Sequence, residues 1–87
     1  MKYKIRDRVE IIDEGNIYTT HDDMATLLHA TKYEHGFGYD HSLNGRQGII
    51  INIHHHGSEY YLVDIGDREI IIGERGIDRI KGGPREF

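Results

Sequence analysis

The apolar positions change period along the chain, and the changes mark out its elements. Residues 8–12 alternate: Val9 and Ile11 fall on one face, Glu10 and Ile12 on the other, as in a strand with a buried side. Asp13-Glu14-Gly15-Asn16 is a run of turn formers that ends it. Met24, Leu27, Leu28 and Thr31 then stand at i, i+3, i+4 and i+7, one face of a helix. Thr20 suits the N-cap, and Asp22 and Asp23 place negative charge at the positive end of the helix dipole. The pattern predicts a helix over residues 21–30. Such a helix is too short to persist alone, so its stripe must dock on the rest of the domain.

Residues 33–45 lose all period. Gly36, Gly38 and Gly45 interrupt them, and Asn44-Gly45 is a turn signal. Beyond them the chain reads as strands: residues 47–54, 60–65 and 69–72, with a last short strand or helical turn at 77–80. The breaks fall at Gly57-Ser58, at the hairpin pair Gly66-Asp67 and at residues 73–76. Tyr60 and Tyr61 point to opposite faces of their strand, one inward and one outward. Gly82-Gly83-Pro84 opens a tail, so a single domain over residues 1–81 and a flexible end over 82–87 are expected. Isolated two-stranded hairpins are marginal in water, whereas closing five short strands into a small barrel removes the edges and gives one core. The expected fold is mainly β with one short helix (α+β). Its core would hold Val9, Ile11, Met24, Leu27, Leu28, Ile49, Ile51, Ile53, Leu62, Val63, Ile65, Ile70, Ile72, Ile77 and Ile80.

Four stretches carry a resemblance. Asp7-Arg8-Val9-Glu10-Ile11 resembles the G-D-x-V-x-V strand of SH3-like barrels, and Asn44-Gly45-Arg46-Gln47-Gly48-Ile49-Ile50 their G-x-x-G-x-V strand. Tyr61-Leu62-Val63-Asp64-Ile65 with its Gly-Asp hairpin is similar to their third and fourth strands, and Gly76-Ile77-Asp78-Arg79-Ile80 to their closing turn and strand. The likeness covers residues 5–13 and 44–80. It implies an SH3-like five-stranded small barrel with a helix-containing first long loop, a fold that hosts many functions. Arg6 stands where a glycine is usual, and the first connection is long and holds the helix, in the place of the ligand-binding loop of SH3 domains. The order of strand, YTTHDDMA segment, helix and barrel also resembles small uncharacterised proteins of tailed bacteriophages. That likeness implies an accessory, host-interaction or anti-defence protein.

Composition narrows the classes. The chain has 87 residues, one domain's worth, and no cysteine, so disulfides and thiolate chemistry are excluded. Its start is charged, unlike a signal peptide, and it has no apolar run of membrane-spanning length. A cytoplasmic location is expected, the host cytoplasm for a viral protein. The net charge is −4: residues 1–8 carry four bases against one acid, and residues 9–72 three bases against eleven acids. General nucleic-acid binding is therefore disfavoured. Lys2, Lys4, Arg6 and Arg8 would nevertheless form a basic stripe if extended, and an RNA- or ribosome-contacting barrel is one alternative.

Seven histidines stand out. His54 and His56 share a strand face, and with His41 from the loop they form a candidate zinc site as an alternative; otherwise no cofactor is expected. Ser42 beside His41 and Ser58 near His56 lack a recognisable triad, and no enzyme is expected. The aromatic loop is the stronger candidate. Tyr33, His35, Phe37, Tyr39, Asp40 and Arg46 are the expected partner-binding residues, since loop aromatics give contact area at low entropic cost. Their alternative role is to pack down as a lid on the core. Glu10, Asp13, Glu14, Asp22, Asp23, Glu34 and Asp40 give the same region an acidic surface that would attract basic partners. The expected function is a non-enzymatic module that engages a protein partner through the helix and this loop. The other alternative is a homo-oligomeric sponge for a small molecule or nucleotide, with Arg46, Arg68 or Arg75 at its pocket.

Overall fold

A computed structural model describes residues 3–13, 16–56 and 58–80, with the side chains of His56 and Ser58 outside the description. Its elements are β1 (Arg8–Ile11), β2 (Tyr18–Thr19), α1 (Asp22–Leu28), β3 (Phe37–Gly38), β4 (Gln47–His56), β5 (Ser58–Asp64), β6 (Glu69–Gly73) and β7 (Ile77–Arg79). Two 3-10 turns, His41–Leu43 and Glu74–Gly76, precede β4 and β7. The strands form one sheet in the order β3-β2-β6-β5-β4-β1-β7, with every pairing antiparallel. The fold is thus mainly β with one helix, as expected. The closed five-stranded barrel is not formed: the sheet has seven strands and its outermost members, β3 and β7, do not pair.

The difference arises in the first connection. Helix α1 spans only seven residues and starts after His21, whose side chain caps nothing. Thr20, the expected cap, turns its hydroxyl to the carbonyls of Glu34 and Gly36 instead. Tyr18 and Thr19 therefore stay extended and pair with both β6 and β3. The helix ends at His29, which takes the left-handed conformation (φ 60°), while Ala30 N–H donates to Ala25 O at 2.9 Å.

The inner face of the sheet gathers Val9, Ile11, Ile50, Val63, Ile70, Ile72 and Ile77 with Leu43 and Tyr61. Tyr3 completes this cluster: its ring meets Tyr61 edge-on at 5.5 Å and its hydroxyl donates to Ile77 O at 3.3 Å. The chain after Tyr3 turns at Arg6 (φ 82°), and Asp7 N–H donates to Lys4 O at 3.0 Å. Lys4, Arg6 and Arg8 therefore do not form the extended stripe expected of them, and Lys2 lies outside the described residues. A second cluster lies on the outer face, where Ala25 and Leu28 of α1 cover Leu62 and Ile71, with Met24, Ala30, Tyr33 and Tyr60 around them. Tyr61 is the inward tyrosine, and Tyr60 is half-buried beneath the helix side.

Several expected core residues are not in the core. Leu27 is exposed because α1 docks through Ala25 and Leu28. Met24, Ile53 and Ile80 are only half-buried. On β4 the phase is reversed: Val9 pairs with Gly48 and Arg8 with Ile49, so Ile49 points outward and Ile50 inward. A bulge between Ile50 and Asn52 then inserts one residue, leaving Ile51 exposed and returning Ile53 to the inner side.

Gly48 sits where β4 bends tightly over β5. A Cβ there would lie 2.6 Å from Asp64 O and 2.7 Å from Val63 Cγ1. Gly48→Ala should lower stability by about 1–3 kcal/mol, the usual cost of overpacking. The urea midpoint tests this; an unchanged midpoint would mean the two strands have room to separate.

Candidate functional site

The segment between α1 and β4 is fastened to the sheet by buried polar groups. Glu69 is 6% exposed, and its Oε1 accepts the N–H groups of Thr31 (2.8 Å) and Lys32 (3.2 Å). The Glu69 N–H in turn donates to Lys32 O at 2.7 Å. A buried carboxylate is tolerated because it is met by donors in this way. Farther along, Thr20 N–H donates to Gly36 O at 2.7 Å. Gly36 crosses the Tyr18 ring, where a Cβ would fall 2.9 Å from the hydroxyl oxygen, so a larger residue would require the Tyr18 side chain to shift. Asn16, buried, donates through Nδ2 to Asp40 O (2.7 Å) and Asn44 Oδ1 (2.8 Å). Arg68 donates to Glu34 Oε1 (2.9 Å) and Asp40 Oδ2 (3.3 Å).

Two groups of side chains project from this frame. In the first, Phe37 is 65% exposed on β3 and stacks on His21 (centroids 5.6 Å apart, planes at 20°). His35 meets His21 edge-on at 5.4 Å and lies 3.5 Å from Asp22. Tyr33 donates its hydroxyl to Asp22 Oδ1 at 3.2 Å, a bond to a carboxylate that raises the phenol pKa. The second group centres on Tyr39, 50% exposed, whose hydroxyl donates to Asp13 Oδ1 at 2.5 Å. Asn44 Nδ2 donates to the same Asp13 oxygen (3.0 Å) and to the Tyr39 oxygen (2.8 Å), and His41 Nδ1 lies 3.3 Å from that hydroxyl.

These contacts set the charges. The hydroxyl of Tyr39, then the amide of Asn44, hold the Asp13 carboxyl below the usual carboxylate range. Asp40 is lowered as well, first by the Ser42 hydroxyl and N–H and then by Arg68. Tyr39 is raised, chiefly by its bond to Asp13. Both phenols and both carboxylates are therefore held as neutral donors and charged acceptors at neutral pH.

Tyr33, His35, Phe37, Tyr39 and Asp40 share one excursion, but their side chains divide between the two groups. Arg46 is apart from both. It donates to Ile65 O (2.9 Å) and Asp67 Oδ1 (2.7 Å) at the β5–β6 turn, which leaves it engaged within the fold. His41 sides with Tyr39 and Asn44, while His54 is on β4; the side chain of His56 lies outside the described residues. Among the described residues no group of three histidines or carboxylates could hold a metal ion. Ser42 donates its hydroxyl at 2.6 Å to Oδ1 of Asp40, the N-cap of the His41–Leu43 turn. Sequence reasoning missed His21, Asn16, Thr20, Asn44 and Glu69, whose roles arise only when distant segments meet. Comparison with known proteins gave no matching family model, curated protein or solved structure.

A carboxyl with a lowered folded-state pKa stabilises the fold above its unfolded value, and loses that contribution as the pH falls through the folded value. Removing the Tyr39 hydroxyl should therefore move Asp13 upward. In Tyr39→Phe, carbon-detected NMR titration should show the Asp13 midpoint returning toward the ordinary carboxylate range, with Asp40 unmoved. An unchanged Asp13 midpoint would show that the pair does not form in solution.

Proposed function

We propose that this chain is a non-enzymatic protein-binding module whose contact surface is the aromatic ledge formed by Phe37 and Tyr39. One observation carries the reading: two large aromatic side chains stand exposed on a segment whose backbone is fastened by Thr20, Asn16 and Glu69 and whose Asp40 side chain is held by Arg68. An aromatic left in water on a fixed backbone loses little conformational entropy when it is covered, which favours its use as a binding anchor. The lid role falls to Tyr33, which packs on the outer-face cluster, and Phe37 and Tyr39 remain largely exposed.

The rim of the ledge is acidic. Asp13, Asp22 and Glu34 are exposed beside it; Asp13 accepts the Tyr39 hydroxyl, Asp22 lies against His35, and Glu34 pairs with Arg68. The partner that suits it is a protein surface offering apolar area flanked by lysine or arginine. The strand connections support placing the domain among SH3-like folds of the open kind. A meander, β4–β5–β6, is followed by a 3-10 turn and a last strand that returns to β1, and the ligand-bearing position falls in the first long connection.

Phe37→Ala tests the reading, because the side chain is largely exposed and stacks on His21 at the surface. Peptides selected by display on the immobilised full chain should bind Phe37→Ala at least tenfold more weakly, about 1.4 kcal/mol, with the thermal midpoint little changed. Selected peptides that bind Phe37→Ala and Tyr39→Phe as tightly as the parent would place the binding surface elsewhere.

A further inference from the structure

The outer face of the sheet is only half covered. Helix α1 lies over β5 and β6 through Leu62 and Ile71. Asn52 of β4 also reaches the helix, donating through Nδ2 to Leu28 O at 2.8 Å, but over Gln47–Ile51 and β1 the face is uncovered, and Ile49 (43% exposed), Ile51 (37%) and Ile5 (52%) stand together there. Two shallow depressions meet at Ile49. One, of about 480 Å³, is lined by Ile5, Arg6, Ile49 and Ile51; the other, of about 300 Å³, by Arg8, Gln47 and Asp64. Arg8 is the direct cross-strand neighbour of Ile49. Contiguous exposed isoleucines on a small domain mark a contact surface more often than chance exposure does.

The charge around the patch selects its occupant. Arg6 and Arg8 are exposed and make no ion pair among the described residues. Of the neighbouring carboxylates, Asp7 accepts the Lys4 N–H at 3.0 Å and Asp64 pairs with Lys32 at 3.3 Å, while Glu10 lies farther along the Arg8 face of β1, between Gln47 and Asp78. We propose that this bare half-face docks an amphipathic helix of a partner protein, apolar on one side and bordered by aspartate or glutamate. The incoming helix would extend the layer that α1 begins. Two copies of the chain meeting symmetrically here would set arginine against arginine, which disfavours a dimer through this face. Nucleic acid would satisfy the arginines but leave the isoleucines uncovered, since bases stack on aromatic rings. The surface is separate from the Phe37–Tyr39 ledge, so the proposal stands or falls independently of it.

The test uses the full chain and three defined probes: a helical peptide with a leucine face and glutamate flanks, the same peptide with lysine for glutamate, and single-stranded oligo-dT. The glutamate peptide should bind and shift the amide resonances of Ile5, Ile49 and Ile51. It should bind at least tenfold more weakly to Ile49→Lys and to Arg8→Glu, both at exposed positions, and equally well to Phe37→Ala. No binding of the glutamate peptide, or equal binding of the lysine peptide, would overturn the proposal. Tighter binding of oligo-dT would replace it with nucleic-acid contact. A sedimentation dimer abolished by Ile49→Lys would replace the partner with a second copy.

Discussion

Strand β6 is buried on both faces, and most of the architecture depends on that. Ile70 and Ile72 enter the inner cluster, while Ile71 and Glu69 face the opposite way and are equally hidden. An open antiparallel sheet normally leaves one face to water. Here Ile71 and Leu62 require a cover, and the seven-residue α1 supplies it through Ala25 and Leu28. Helix and strand are interdependent, because so short a helix has no stability of its own. Glu69 locks the arrangement from the edge by holding the Thr31 and Lys32 backbone. Loss of this carboxylate would leave two amide donors without their partner near the sheet, a cost of about 1–3 kcal/mol each where they stay buried.

Docking the helix there dictates the path of the chain beyond it. The backbone must return from the outer face to β4, and it does so across Tyr18, with Gly36 at the point of closest approach. The crossing lets β2 and β3 pair and add two short strands beyond β6. Phe37 and Tyr39 are carried outward on this added edge, while Asn16 and Thr20 hold the backbone beneath them and Arg68 holds the Asp40 carboxylate. The exposed ledge is thus a consequence of how the helix is accommodated. The exposed isoleucines on β4 have the same origin: α1 covers β5 and β6 and reaches β4 only at Asn52, leaving Ile49 and Ile51 uncovered.

Much of this is legible in the sequence where the signal is local. The alternation of Val9 and Ile11, the hairpin at Gly66, the strands on either side of it and the aromatic excursion all depend on neighbours in the chain. The departures have a common cause in long-range contact. Alternation alone puts Ile49 and Ile51 in the core, but pairing with β1 sets the opposite phase, and the bulge after Ile50 shifts it again. Thr20 looks like a helix cap until Glu34 and Gly36 arrive beside it. Tyr3 sits in a charged segment with no visible period, yet it fills the inner core against Tyr61. Arg46 has the look of a ligand-binding arginine but finds Asp67 across the β5–β6 turn.

The proposed binding role requires the ledge to be rigid before any partner arrives. Backbone nitrogen relaxation of the free chain tests this directly at residues 37–39. The frame of hydrogen bonds predicts order parameters there equal to those of β5 and β6, about 0.85 as in rigid backbone. Values below about 0.6, typical of flexible segments, would contradict it and show that Phe37 and Tyr39 ride on a loop the fold does not fix.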